Sequence, residues 1–246
     1  MKKVKKYLLL FLLIPVQFPG WSQNSGISIS NLSKESNRFQ GKLTGEIYYL
    51  SPVSNASYFL QNDWEEGTII LRDGDVFENM RMRYMAFGDK LVAYNNNNRT
   101  LFIVDKSIVK EFIFYSRNET GELTEQKFIN LDSLNLLFNK SYFHELYSGA
   151  LKLLCFYQVE QNKVSPYIGV GGKMYDTEFR LKTMYYIMSK DNRVEKIQFN
   201  NRSFYNIYPE HKKEIKKILR KNKINVTDES SAVQAVKTLD AAEFFK

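Results

Sequence analysis

Between Gly45 and Tyr115 the chain breaks into short apolar or alternating runs separated by turn residues, the pattern of consecutive antiparallel strands. Asp73-Gly74 stands between Thr68-Ile69-Ile70-Leu71 and Val76-Phe77, and such a dipeptide predicts a two-residue hairpin whose central positions both take positive φ. Gly88-Asp89 then separates the run from Met80 to Tyr84 from that of Leu91 to Tyr94, and the asparagines from Asn95 to Asn98 separate the latter from Leu101 to Val104. A meander is expected. In Met80-Arg81-Met82-Arg83-Tyr84 the apolar groups fall on one sheet face and the guanidinium groups on the other, so one face is expected to be wet. Leu101 to Val104 and Phe112 to Tyr115 are apolar without alternation, which predicts strands covered on both sides and a sheet that curls or is capped.

Further along, Tyr142 to Leu146 and Leu151 to Val159 predict a second hairpin across Ser148-Gly149. Phe179, Leu181 and Thr183 alternate with Glu178, Arg180 and Lys182, and Asp191-Asn192 turns the chain into Val194 to Phe199. Glu160 to Tyr175, with Pro166, Gly169, Gly171 and Gly172, reads as a loop or hairpin tip and is a candidate contact loop. Past residue 200 the period becomes helical. Pro209 suits a first turn, and Ile215, Ile218 and Leu219 recur among Lys212, Lys213, Lys216, Lys217, Arg220 and Lys221. Thr227 or Asp228 caps a second helix with the stripe Val233, Val236 and Leu239, before Phe244 and Phe245.

The other end of the chain is of a different kind. Lys2, Lys3, Lys5 and Lys6 precede an apolar run from Tyr7 to Val16 that is too short for a spanning helix, and Pro19, Gly20 and Ser22 follow it. Residues 1–22 are therefore expected to be a signal peptide cut before Gln23, and 23–41, rich in Ser and Asn, a flexible leader. The expected organisation continues with a β-rich domain over 42–200 and a helical segment over 201–246 packed on the same domain. The formal charge is +8, and the four signal lysines supply half of it, leaving +4, which gives no ground for nucleic-acid binding. The single cysteine, Cys155, cannot form an internal disulfide and does not stand where a lipoprotein needs it; its apolar run predicts a buried, inert thiol. A mature chain of roughly 220 residues with 43% hydrophobic content can fill one substantial core.

The chemistry is sparse. The histidines are His144 and His211, with no metal-ligand spacing, so no metal or other cofactor is expected. His144 and Glu145 are neighbours on an expected strand and point to opposite faces, which rules out direct cooperation as a catalytic pair. Gly169-Val170-Gly171-Gly172-Lys173 lacks the spacing and the hydroxyl residue of a phosphate loop. Glu65-Glu66 and Asp73 with Asp75 are acids of the kind a glycan hydrolase pairs, yet surface turns collect such residues for solubility. Trp64 would make a stacking platform if exposed, and the lysines of the first helix could face anionic lipid. No catalytic residue is assigned and the binding residues are unknown at this stage.

The segment from Trp64 to Gly74 running into Met80 to Tyr84 resembles a group of uncharacterised exported proteins common in the Bacteroidota. The tail is similar too, with Phe204-Tyr205-Asn206-Ile207-Tyr208-Pro209 leading into the Lys/Ile helix from Lys212 to Lys223 and a short closing helix. The resemblance implies a β-rich envelope protein and carries over no catalytic residue.

The expected fold is α+β: a mainly antiparallel, strongly curved or barrel-like sheet with two short C-terminal helices closing an edge or an open end. The expected function is that of an exported, non-enzymatic binding or interaction protein of the periplasm or cell envelope, not integral to the membrane in mature form. Its partner would be an envelope protein, a glycan or a lipid. The alternatives are a lipid carrier with a half-open barrel, which needs an apolar cavity, and an envelope hydrolase, which needs Glu65 or Glu66 to converge with a distant Asp.

Overall fold

Among the described residues, alternation and turn chemistry produce eleven strands in one sheet. The computed structural model describes residues 42–49, 58–96, 99–117, 121–131, 140–169, 172 and 174–242. The expected signal peptide, leader and terminal phenylalanines lie outside these. The strands are β1 (Gly45–Ile47), β2 (Glu65–Leu71), β3 (Val76–Met85), β4 (Lys90–Asn95), β5 (Thr100–Val104), β6 (Val109–Arg117), β7 (Leu123–Leu131), β8 (Ser141–Ser148), β9 (Lys152–Ile168), β10 (Met174–Met188) and β11 (Val194–Ile197). Their spatial order is β1-β5-β4-β3-β2-β6-β7-β8-β9-β10-β11, and neighbours run antiparallel. The sheet is mainly antiparallel and not closed by a continuous ladder.

The expected meander holds from β2 to β5, and then the chain departs from it: β6 returns to the far side of β2. The Asp73-Gly74 hairpin forms with a different turn. Leu71 N–H donates to the Asp75 carbonyl at 2.9 Å and only Gly74 takes positive φ, at 94°. The loop is thus one residue longer than expected, with glycine in the one left-handed position it requires.

Curvature follows from where the β3–β4 turn lands. Five strand intervals separate β3 from β9, a path of about 24 Å across a flat sheet. Val159 N–H of β9 nevertheless donates to the carbonyl of Ala86, directly after β3, at 3.3 Å. Tyr58 stacks on Phe87 with centroids 4.9 Å apart and meets the edge of Phe179 of β10 at 4.7 Å. The sheet is rolled until its two halves touch along this seam.

Aromatic side chains fill the inside of the roll. Phe112 of β6 pairs with Phe128 of β7, which pairs with His144 of β8, so these rings share one face. Phe112 and Phe128 stack at 4.8 Å, and Tyr84 and Tyr142 complete the cluster, each at most 1% exposed. Burial of such rings supplies about 2–3 kcal/mol each. The same seam modifies the expected wet face. Arg81 is exposed, but Arg83 lies 4.0 Å from the Phe59 ring centroid and donates to the Gln61 carbonyl at 2.6 Å.

The C-terminal region contains α1 (Asn201–Tyr205), a 3-10 turn at Pro209–His211, α2 (Lys212–Lys221) and α3 (Glu229–Ala241), one short helix more than expected. Asn200 caps α1, and Asp228 with Ser231 forms a capping box on α3 that contributes about 1 kcal/mol. Phe204, Ile215, Leu219, Ala232, Val236 and Leu239 pack against Leu151, Leu153 and Ile187. Leu153 shares the inner face with Cys155 and Tyr157, so the helices close the inner face beside β8 to β11. Asp240 fastens them: it accepts from Tyr147 Oη at 2.9 Å and Leu151 N–H at 3.1 Å. The lysines of α2 face solvent. No described helix is long and apolar enough to cross a membrane.

Candidate functional site

Asp89 ends the β3–β4 turn in the left-handed region at φ 52°, a conformation Asp tolerates better than most residues, directly after Gly88 at φ 85°. This backbone aims its carboxylate into the seam. There it accepts from Tyr84 Oη at 2.8 Å, from Lys106 Nζ at 2.7 Å and from Tyr142 N–H at 3.2 Å. Lys106 comes from the β5–β6 turn, with its ammonium 4.7 Å from the Tyr142 ring centroid. Asn130 of β7 holds that turn by donating to the carbonyls of Lys106 and Val109, each at 2.8 Å. Burial and the neighbouring Asp89 raise the pKa of Tyr84 well above the ordinary phenol value, so its hydroxyl remains a donor.

This network forms the back of a cleft of about 610 Å³ lined by Thr44, Gly45, Glu46, Gly88, Asp89, Lys90, Ile103, Val104, Asp105 and Lys106. One wall is the short edge strand β1, pressed so closely on β5 that a Cβ at Gly45 would lie 2.0 Å from the Ile103 carbonyl oxygen. Two hydrogen bonds from Ser107 hold the Asp105 carboxyl below the usual range. The lining combines carboxylates, ammonium groups and an open strand edge, which suits a polar ligand carrying both donors and acceptors. Sequence reasoning saw Asp89 only as a turn residue and did not single out Lys106. The Gly88-Asp89 pair was the available signal for the former, and the latter had none.

The residues singled out from sequence are dispersed. His144 and Glu145 do point to opposite faces. His144 stacks on Phe128 at 5.0 Å and shares a hydrogen bond with Tyr157 Oη at 3.0 Å, while Glu145 pairs with Lys152 at 2.7 Å. Cys155 lies directly across from His144, and this juxtaposition was not legible beforehand. Burial pushes the thiol up to about 12 and the imidazole down to about 4, so neither is poised as a nucleophile–base pair.

Asp73 and Asp75 share Lys42 at 3.3 and 2.6 Å on the surface. Glu66 is exposed, whereas Glu65 is half-buried, its pKa raised by burial and by Asp63, with Oε2 making no hydrogen bond. Trp64 is half-buried and packs beside Phe59 and Met85, 6.0 Å from Arg83, so it is part of the seam's outer packing and not an open platform. The expected loop from Glu160 to Tyr175 is mostly strand, because β9 and β10 pair out to Ile168 and Met174. Among the described residues no group of three or more His, Cys, Asp or Glu side chains could hold a metal.

The site belongs to an open, tightly rolled antiparallel sheet whose inner face is capped by helices. No family model, no curated protein and no solved structure matches the chain.

Proposed function

We propose that the chain is an exported, non-enzymatic binding protein of the cell envelope that holds a polar ligand, a glycan or a peptide segment, in the cleft beside Asp89 and Lys106. The supporting observation is a contrast in chemistry. The inside of the roll is packed with Tyr84, Phe112, Phe128 and Tyr142, each at most 1% exposed, whereas the cleft of about 610 Å³ is lined by charges of both signs. An acyl chain needs an apolar groove, while sugars and peptides need this kind of mixed lining. A signal peptide at 1–22 and a periplasmic or envelope location are part of the same proposal.

The test is native and lipid mass spectrometry of the protein purified from the periplasm, followed by titration with soluble peptidoglycan fragments. The expected outcome is a new N-terminus at Gln23, no stoichiometric lipid, and fragment binding that weakens in Glu46→Lys and Lys90→Glu. Near-stoichiometric phospholipid would instead restore the carrier reading.

A hydrolytic reading has one observation in its favour, the half-buried Glu65, whose pKa is raised by burial and by Asp63, the direction that suits a general acid. Cleavage of a glycan by the wild type and its loss in Glu65→Gln would establish that reading.

A further inference from the structure

β9 and β10 extend well past their neighbours. β8 pairs with β9 only as far as Cys155, and β11 pairs with β10 only from Tyr185 to Met188. The stretch opposing 156–168 to 174–184 is therefore a two-stranded ribbon among the described residues. Its two outer edges differ. A register irregularity sets residues 164–166, including Pro166, against the single residue Asp176, so the outer edge of β9 is broken and lacks one N–H. The edge of β10 is unbroken, and an unblocked edge is a template for another strand.

The side chains along that edge are self-complementary. Asp176, Glu178, Arg180 and Lys182 share one face and are all exposed, in the order acid, acid, base, base about Phe179. We propose that a second copy of this chain docks here, β10 against β10 antiparallel, across a two-fold axis at Phe179. In this register Asp176 opposes Lys182 of the second copy and Glu178 opposes its Arg180, and symmetry repeats both pairs. Thr177 faces Leu181, an exposed apolar side chain, and Met174, also exposed, faces Met184.

Neighbouring registers fail. A slip by two residues puts Glu178 against Glu178 in one direction and Arg180 against Arg180 in the other, and a slip by one sets the charged face of one copy beside the Phe179 face of the other, so that no acid opposes a base. The pairs these residues make within one chain, Arg180 to Glu178 at 3.5 Å and Lys182 to Glu160 at 2.8 Å, are solvent-exposed and so are readily exchanged.

Sedimentation velocity of the purified chain over the micromolar range tests the proposal, with circular dichroism confirming that each variant folds. The wild type is expected to dimerise. Asp176→Lys with Glu178→Arg, and separately Arg180→Glu with Lys182→Asp, are expected to weaken the dimer at least about tenfold, since each sets like charges opposite one another. Mixing these two variants is expected to give a heterodimer, because the pattern becomes complementary again, and the fourfold swap in one chain is expected to restore the homodimer. A wild type that stays monomeric to on the order of 100 µM overturns the proposal. So do single-sign variants that dimerise like the wild type, or a mixture that fails to associate.

Discussion

Val159 and Ala86, on opposite halves of the sheet, are joined by a backbone hydrogen bond of 3.3 Å. Tyr58, Phe87 and Phe179 pack around this contact, with Phe179 at 4.7 Å from the first ring and 5.8 Å from the second. Phe179→Ala is expected to loosen the seam at a cost of about 1–2 kcal/mol. Hydrogen exchange would read it, with the Val159 amide exchanging faster and the Phe112 amide, inside the roll, little changed.

Asp89 is the acceptor for two side chains and one backbone amide, so the two ends of its ion pair should behave unequally. Asp89→Ala leaves Lys106 and Tyr142 N–H without this acceptor and Tyr84 Oη with only the Tyr157 carbonyl at 3.5 Å, and is expected to cost about 3 kcal/mol. Lys106→Met keeps most of the network and is expected to cost about 1 kcal/mol. Urea denaturation midpoints would rank them, and equal losses would contradict this account.

Gly149 leaves the space that Asp240 occupies, since a Cβ there would lie 2.1 Å from Asp240 Oδ2. That carboxylate cannot retreat without releasing Tyr147 Oη and Leu151 N–H. Gly149→Ala is therefore expected to destabilise by about 1–3 kcal/mol. In an Asp240→Ala background the same substitution is expected to cost little, and a double-mutant cycle measures the difference.

His144 is neutral in the fold, with burial taking its pKa down to about 4 from the ordinary value near 6.5. Below about pH 6.5 the unfolded chain takes up a proton that the native ring refuses. The stability associated with the neutral ring is thus complete above that pH and lost as pH falls toward 4, by up to about 3 kcal/mol. The difference between wild type and His144→Gln, taken from urea midpoints at about pH 7.5 and about pH 4.5, should show this loss in the wild type alone.

Local features were legible in the sequence and distant ones were not. The turns at Asp73-Gly74, Gly88-Asp89 and Asp191-Asn192, the inward Met82 and Tyr84, and the cap at Asp228 are set by residues within a few positions of one another. The return of β6 to β2 and the meeting of Val159 with Ala86 depend on rolling, which no short window encodes. β7 escaped notice because Leu123 to Lys127 is exposed or half-exposed and only the stretch from Phe128 to Leu131 is buried. Pro166 and the glycines after it make the stretch from Glu160 look like loop, yet the proline falls at the irregularity, where a missing N–H costs little. The Asp89–Lys106 cleft was invisible for the same reason as the seam: its two charges meet only when two turns converge.

The aromatic wall has an unequal history during synthesis. Tyr84, Phe112 and Phe128 are all made before Tyr142, Val159 and the helices that cover their surroundings. A ribosome proceeding from the N-terminus therefore leaves a sticky half-trough exposed until β8 and β9 emerge, and long-range strand pairing of this kind is slow. Chains ending before β8 lack Tyr142 and Val159 of this cluster and are expected to aggregate more readily than the full chain, which sedimentation of truncated chains after expression would show.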